Sequence, residues 1–147
     1  MMRIEGSRHV AAGVPALWAA LSDPRRLGDA LPDVEHVGVD GEDRFSVLLR
    51  PATGLGVTPL AMDFHVAERD EPRRVRITGA GRGAEHAVLV DVELSVSADG
   101  DGAQVRWASD VRVLGVLASV GQRVLPGLVR EQMALLLGAA ERDAAAG

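Results

Sequence analysis

The chain contains no cysteine. Disulfides, zinc–thiolate sites, iron–sulfur clusters and cysteine nucleophiles are therefore excluded. It has no tyrosine either, and only four aromatic residues, Trp18, Phe45, Phe64 and Trp107. An interior must then be built from Val, Leu, Ala and Met, which makes slippery aliphatic walls with few hydrogen-bonding handles. There is no surplus of positive charge. A net charge of −5 argues against nucleic-acid binding, which needs Lys and Arg for phosphates, and against a polybasic membrane anchor. No run approaches the ~18 consecutive apolar residues of a membrane span. The N-terminal MMRIEGSRHV lacks the apolar run of a signal peptide, so the cytoplasm is the expected location. What remains is a 147-residue chain, 47% apolar and 25% charged, the composition of one folded domain with a real core.

Alternation organises most of it. Met2 to Val10 reads as a strand with Ile4, Gly6, Arg8 and Val10 on one face. Pro15 suits the first turn of a short helix carrying Leu17, Trp18 and Leu21. Asp23-Pro24 then opens a second short helix, as N-cap and first residue, that ends before Pro32. Val34 to Asp40 and Arg44 to Arg50 form a hairpin across Asp40-Gly41-Glu42-Asp43, with Phe45, Val47 and Leu49 alternating. Pro51 to Val57 is loop-like. Pro59 to Glu68 turns Leu60, Met62, Phe64 and Val66 inward, and Arg73 to Gly81 does the same with Val75 and Ile77. His86 to Ser97 presents Val88, Val90, Val92, Leu94 and Val96. Gln104 to Val113 presents Val105, Trp107, Ser109, Val111 and Val113. Glycines 79, 81 and 83 fall inside a strand run, which points to a bend, a bulge or the close approach of a neighbour.

Leu114 to Asp143 is the only long helical segment, roughly 40 Å at ~1.5 Å per residue. Leu117, Val120, Val124, Leu128 and Leu135 form its expected apolar row, with Ser119, Gln122, Arg123 and Arg130 on another face. Pro126-Gly127 inside it predicts a kink or break, which either is static, sets a cavity mouth or lets the helix move. The order is β-αα-β6-α, with seven strands joined by short turns and so largely antiparallel. The fold class is α+β: a curved sheet gripping one long helix, with residues 1–143 as a single domain and 144–147 as a short tail.

This order, together with particular segments, resembles the helix-grip, or START-like (SRPBCC), superfamily. Within it, the chain resembles the CoxG family, named for carbon monoxide dehydrogenase. The segments are Gly6 to Val10 with Pro15 and Trp18, LSDP at Leu21–Pro24, Leu31-Pro32, ITGAGRG at Ile77–Gly83, DGDGAQVRW before Ala108, and Val111 to Leu125. The resemblance implies a cavity for a hydrophobic, lipid- or quinone-like molecule, and a role as accessory factor of a molybdenum hydroxylase. It thus names a hydrophobic small molecule and a redox-enzyme complex as partners, with peripheral membrane association only through such a partner. The terminal Asp143-Ala-Ala-Ala-Gly147 is neither apolar nor basic enough to be an anchor.

The chemistry-bearing residues add little to this. His9, His36, His65 and His86 show no metal-ligand spacing, and no cofactor is called for. Ser7, Ser46 and Ser109 lack a nucleophile elbow. Gly79 to Gly83 lacks the Lys-Ser/Thr of a phosphate loop. Arg8 shares the parity of Ile4 and Val10, so it either snorkels from the strand end or finds a carboxylate or anionic ligand group. The expected cavity is lined by Arg8, Val47, Leu49, Met62, Phe64 and Ile77, and by Val88, Val90, Trp107 and Ser109. The helix contributes Val120, Val124 and Leu128. The leading reading is a non-enzymatic carrier. A cyclase or dehydratase of the polyketide type is the alternative, since such enzymes use the same cavity but need polar acid/base groups in it. A solid-cored interaction module is third.

Overall fold

The structure, a computed structural model, describes residues 2–49, 59–83, 86–115 and 118–146, apart from the side chains of residues 36, 49, 86 and 119–122. The loop expected at Pro51–Val57 lies outside the described residues, as does Leu117.

The elements are β1 (Met2–Val10), α1 (Val14–Ser22), α2 (Pro24–Ala30), β2 (Val34–Asp40), β3 (Arg44–Leu49), β4 (Leu60–Asp70), β5 (Arg74–Arg82), β6 (His86–Asp99), β7 (Gly102–Gly115) and α3 (Ala118–Ala146). The seven strands form one antiparallel sheet in the order β1-β7-β6-β5-β4-β3-β2. Local chemistry sets the short elements. Asp23 caps α2, its side chain accepting from the Arg25 amide at 3.0 Å, and prolines occupy the first turns of both short helices, where a missing amide costs nothing. The β6–β7 hairpin closes between Asp99 and Gly102 with Gly100 at φ +61°, a left-handed position that favours glycine.

The inward side chains form cross-sheet rows. One runs Val96–Val105–Arg8 and the next Val75–Leu94–Trp107–Gly6. A third is Val66–Ile77–Val92–Ser109–Ile4. Then come Phe45–Phe64–Gly79–Val90–Val111–Met2 and Val37–Val47–Met62–Gly81–Val88–Val113. Helix α3 lies over this face, its principal partners being β1, β7, α1 and α2.

Four expectations are corrected or narrowed. No register shift falls among the glycines of β5. β5 pairs without interruption with β6 from Arg74 to Arg82, and the register shifts fall in β4 between Val66 and Glu68 and in β2–β3 between Val34 and Val37. The glycines serve close approach instead: the Phe64 ring folds over Gly79 and the Met62 thioether over Gly81. Second, β7 continues to Gly115, so α3 starts at Ala118 rather than Leu114, and it runs unbroken through Pro126. A single proline removes one helical hydrogen bond, which a packed 29-residue helix absorbs. Third, residues 144–146 are the last turn of α3, with Ala144 buried, rather than a tail.

The fourth correction concerns the phase of α3. Its buried stripe is Met133, Leu136, Leu137, Ala140 and Ala144, continued toward the N-terminus by half-buried Val129 and Leu125. Of the expected row, Leu135 is 47% and Val124 37% exposed and Leu128 is half-buried, while Leu117 and the side chain of Val120 lie outside the described residues. Alanines at 140 and 144 let the helix settle closely against its neighbours. Both rows are equally periodic in sequence, so periodicity alone could not choose between them.

Candidate functional site

Burial is not uniform along the concave face. At the end nearest α1, Val96, Val105, Val75 and Leu94 are buried; α1 packs on β6 and β7, and α3 on β7. The C-terminal half of α3 is fixed by polar contacts. Arg8 Nη1 donates to the Ala134 carbonyl at 2.9 Å, and its Nη2 lies 3.8 Å from a Glu141 oxygen. The other Glu141 oxygen accepts from the Ala11 amide at 2.7 Å. Arg26 Nε donates to Asp143 at 2.8 Å, which holds the Arg26 guanidinium above its ordinary pKa. Arg8 thus points inward and meets α3.

Toward the other end the wall loosens. Val92, Val90 and Val88 on β6, Val113 on β7 and Phe64 on β4 are apolar, face inward, and are only half-buried. Leu125 and Val129, on the N-terminal half of α3, are half-buried as well. Their floor is well packed: Val47, Met62, Ile77 and Val111 are buried, and Phe45 stacks on Phe64 with ring centroids 4.9 Å apart. Trp107 closes the floor against Gly6, whose β-carbon would stand 2.5 Å from the indole. The result is an aliphatic trough between the sheet and the first half of α3.

Of the residues expected to line a cavity, Val47, Met62, Ile77, Trp107 and Ser109 are buried in this wall, and Phe64, Val88 and Val90 half-buried in it. Leu128 is half-buried at the edge of the α3 stripe and Val124 is exposed. The side chains of Leu49 and Val120 lie outside the described residues. Leu125 and Val129 were missed through the helix phase. The signal that finds them is the continuation of their spacing into Met133, Leu136 and Leu137.

Ionisable groups gather elsewhere. On the outer face, Arg76 donates to both oxygens of Asp91 at 2.6 and 2.9 Å. These hydrogen bonds hold the Asp91 carboxyl below the usual carboxylate range. Arg3 reaches Glu5 and Asp110, and Arg74 reaches Glu68 and Glu93. Asp43 is likewise held low by its hydrogen bond from Arg69. Among the described residues, every group with a shifted proton affinity lies on the outer surface, in a turn or beside a helix end. His9 pairs with Asp99 at 2.9 Å. Among the described residues, no three His, Asp or Glu side chains gather as a metal site. Among them, the one buried polar side chain is Ser109, 2% exposed on the concave face.

A long helix held in a curved antiparallel sheet, with an aliphatic trough between them, defines a START-like helix-grip protein. The sequence profile of the carbon monoxide dehydrogenase CoxG family matches residues 6–137, and the chain belongs to that family. No curated protein matches it. Solved structures share the fold at low identity. A conserved protein from Geobacillus kaustophilus superposes with TM-score 0.87 at 19% identity, over 98% of this chain and 95% of the other. A START superfamily protein from Mycobacterium smegmatis gives 0.70 at 16%, over 95% and 94%. Truncated norcoclaurine synthase from Thalictrum flavum gives 0.65 at 16%, over 96% and 91%. No helix among the described residues is long and apolar enough to cross a membrane.

Proposed function

We propose that this protein is a non-enzymatic carrier for a hydrophobic small molecule, held between the sheet and the N-terminal half of α3. In this role it serves as an accessory factor of a molybdenum hydroxylase such as carbon monoxide dehydrogenase. One observation carries the binding reading: inward-facing Phe64, Val88, Val90, Val92 and Val113 stay half-buried beneath a helix long enough to cover them. In a solid core these side chains would be fully enclosed, because interiors pack to crystal-like density. An apolar wall left partly open gains free energy when an apolar ligand covers it. The family name supports the partner, and the aliphatic wall supports holding over reacting, since acid/base catalysis needs titratable groups against the substrate.

Native mass spectrometry of freshly purified protein tests the binding reading. The expected spectrum carries an adduct of a few hundred daltons, of the order expected for such a cavity, that organic extraction removes. Protein that purifies without an adduct and takes up no apolar probe overturns it. Co-purification with the subunits of a molybdenum hydroxylase tests the accessory role separately.

A further inference from the structure

We infer that Ser109 is the polar recognition point of this trough, and that the ligand is an uncharged, mostly aliphatic molecule bearing one hydrogen-bonding oxygen, which enters oxygen first. The inference rests on the binding function proposed above and adds the ligand's chemistry and orientation.

Ser109 is 2% exposed, and its hydroxyl has no hydrogen-bond partner among the described residues. A buried hydroxyl without a partner is unfavourable, and such groups are uncommon in folded proteins unless a water or ligand satisfies them. Its position is also particular. Ser109 stands between Val92 and Ile4 in the cross-sheet row where full burial gives way to half-burial. On one side lies the packed end with Leu94 and Trp107. On the other lies the loose wall of Val90 and Val88. A hydroxyl there sits at the deep end of the trough, and a molecule reaching it lays its apolar remainder along Val90 and Val88 toward the junction of β7 and α3.

The charge of the ligand follows from what surrounds it. Among the described residues the inward-facing cation of the sheet, Arg8, is committed to the Ala134 carbonyl and to Glu141 at the packed end. Its neighbours there are Gly138 and Arg142 of α3. A carboxylate or phosphate placed at Ser109 would lose its hydration without gaining a counter-ion among the described residues. A ketone, quinone or ester oxygen loses far less and gains the serine proton. The aliphatic wall supplies affinity without direction, so one hydrogen bond suffices to orient the ligand.

The test uses equilibrium dialysis with three probes of matched chain length: methyl decyl ketone carbon-13-labelled at its carbonyl, dodecane, and dodecanoate. The wild-type protein is expected to bind the ketone and exclude the carboxylate. Ser109→Ala should weaken the ketone roughly 2- to 10-fold, the range of one neutral hydrogen bond, and leave dodecane unchanged. The bound carbonyl carbon resonance should move upfield in the variant as the hydrogen bond is lost. If the ketone binds but neither its affinity nor its resonance changes in Ser109→Ala, the serine holds a water only; the inference is then overturned while the carrier function stands. Tight binding of dodecanoate by the wild type overturns the uncharged class in the same way. If none of the three probes binds, the carrier function itself fails and the inference with it.

Discussion

A β-carbon on Gly79 would stand 2.7 Å from two carbons of the Phe64 ring and 2.8 Å from Val90 Cγ2. A β-carbon on Gly127, on the exposed side of α3, would meet nothing within 4 Å. The two glycines should therefore answer substitution with opposite signs. Gly79→Ala forces Phe64 out of its stack on Phe45 and should cost ~1–3 kcal/mol. Gly127→Ala removes backbone freedom from a helix interior and should add ~0.5–1 kcal/mol. Thermal melts decide this, at roughly 2–4 °C per kcal/mol for a chain of this size. Equal effects would mean that Phe64 does not rest on Gly79. The glycines and the inward parity of Phe64 are legible in the sequence, but bend, bulge and close approach fit that pattern equally well. Which of them applies depends on the side chains of the neighbouring strands. Arg8 is a similar case: its inward parity is legible, but its partners, Ala134 and Glu141, lie 126 and 133 positions away along the chain.

At the scale of the element, α3 is where sequence and structure part. Apolar residues cover most of its circumference, so two rows compete for the inside. Leu137 is 1% exposed and Leu135 47%. Leu137→Ala should cost ~2–5 kcal/mol through the cavity it leaves, and Leu135→Ala should stay within ~0.5 kcal/mol. Urea titration of the two variants reads the difference, and a reversed order would restore the Leu135 row as the inner one. Strands were far more legible. β1 and β2 have the expected bounds, β4 and β5 begin one residue later than expected and end one or two later, and β6 and β7 extend the expected spans by two residues at each extended end. A period of two fixes which face is apolar as soon as the strand is recognised. A helix with alanines and leucines on every side carries no such mark.

At the scale of the whole molecule, the outer sheet face is a charge ladder that holds like charges apart. Asp91 on β6 pairs in register with Asp110 on β7. Each is neutralised from the strand beyond, Asp91 by Arg76 of β5 and Asp110 by Arg3 of β1. The hydrogen bonds from Arg76 lower the pKa of Asp91. The stabilisation is therefore complete above the unfolded value of about 4, and is lost as pH falls through the lower folded value. Arg76→Gln removes its cause. The variant should melt below the wild type at about pH 7, and the gap should narrow as pH falls below the unfolded value of about 4 and close once both forms have taken up the proton. A gap that persists unchanged in acid would mean that Arg76 acts through packing of its stem rather than through the ion pair.

The sequence by itself determined the order of elements, the antiparallel sheet, the inward parity of the strands other than β2 and the aliphatic nature of the interior. These follow from local periodicity, turn chemistry and the scarcity of aromatic residues, none of which requires knowing what lies opposite. Only the tertiary structure decided which face of α3 is buried, where the wall is packed and where it is loose, and that Arg8 is committed to α3 while Ser109 meets no partner among the described residues. Each of these depends on side chains brought together from distant parts of the chain, and a pattern of two or of 3.6 residues carries no record of its neighbour across the fold.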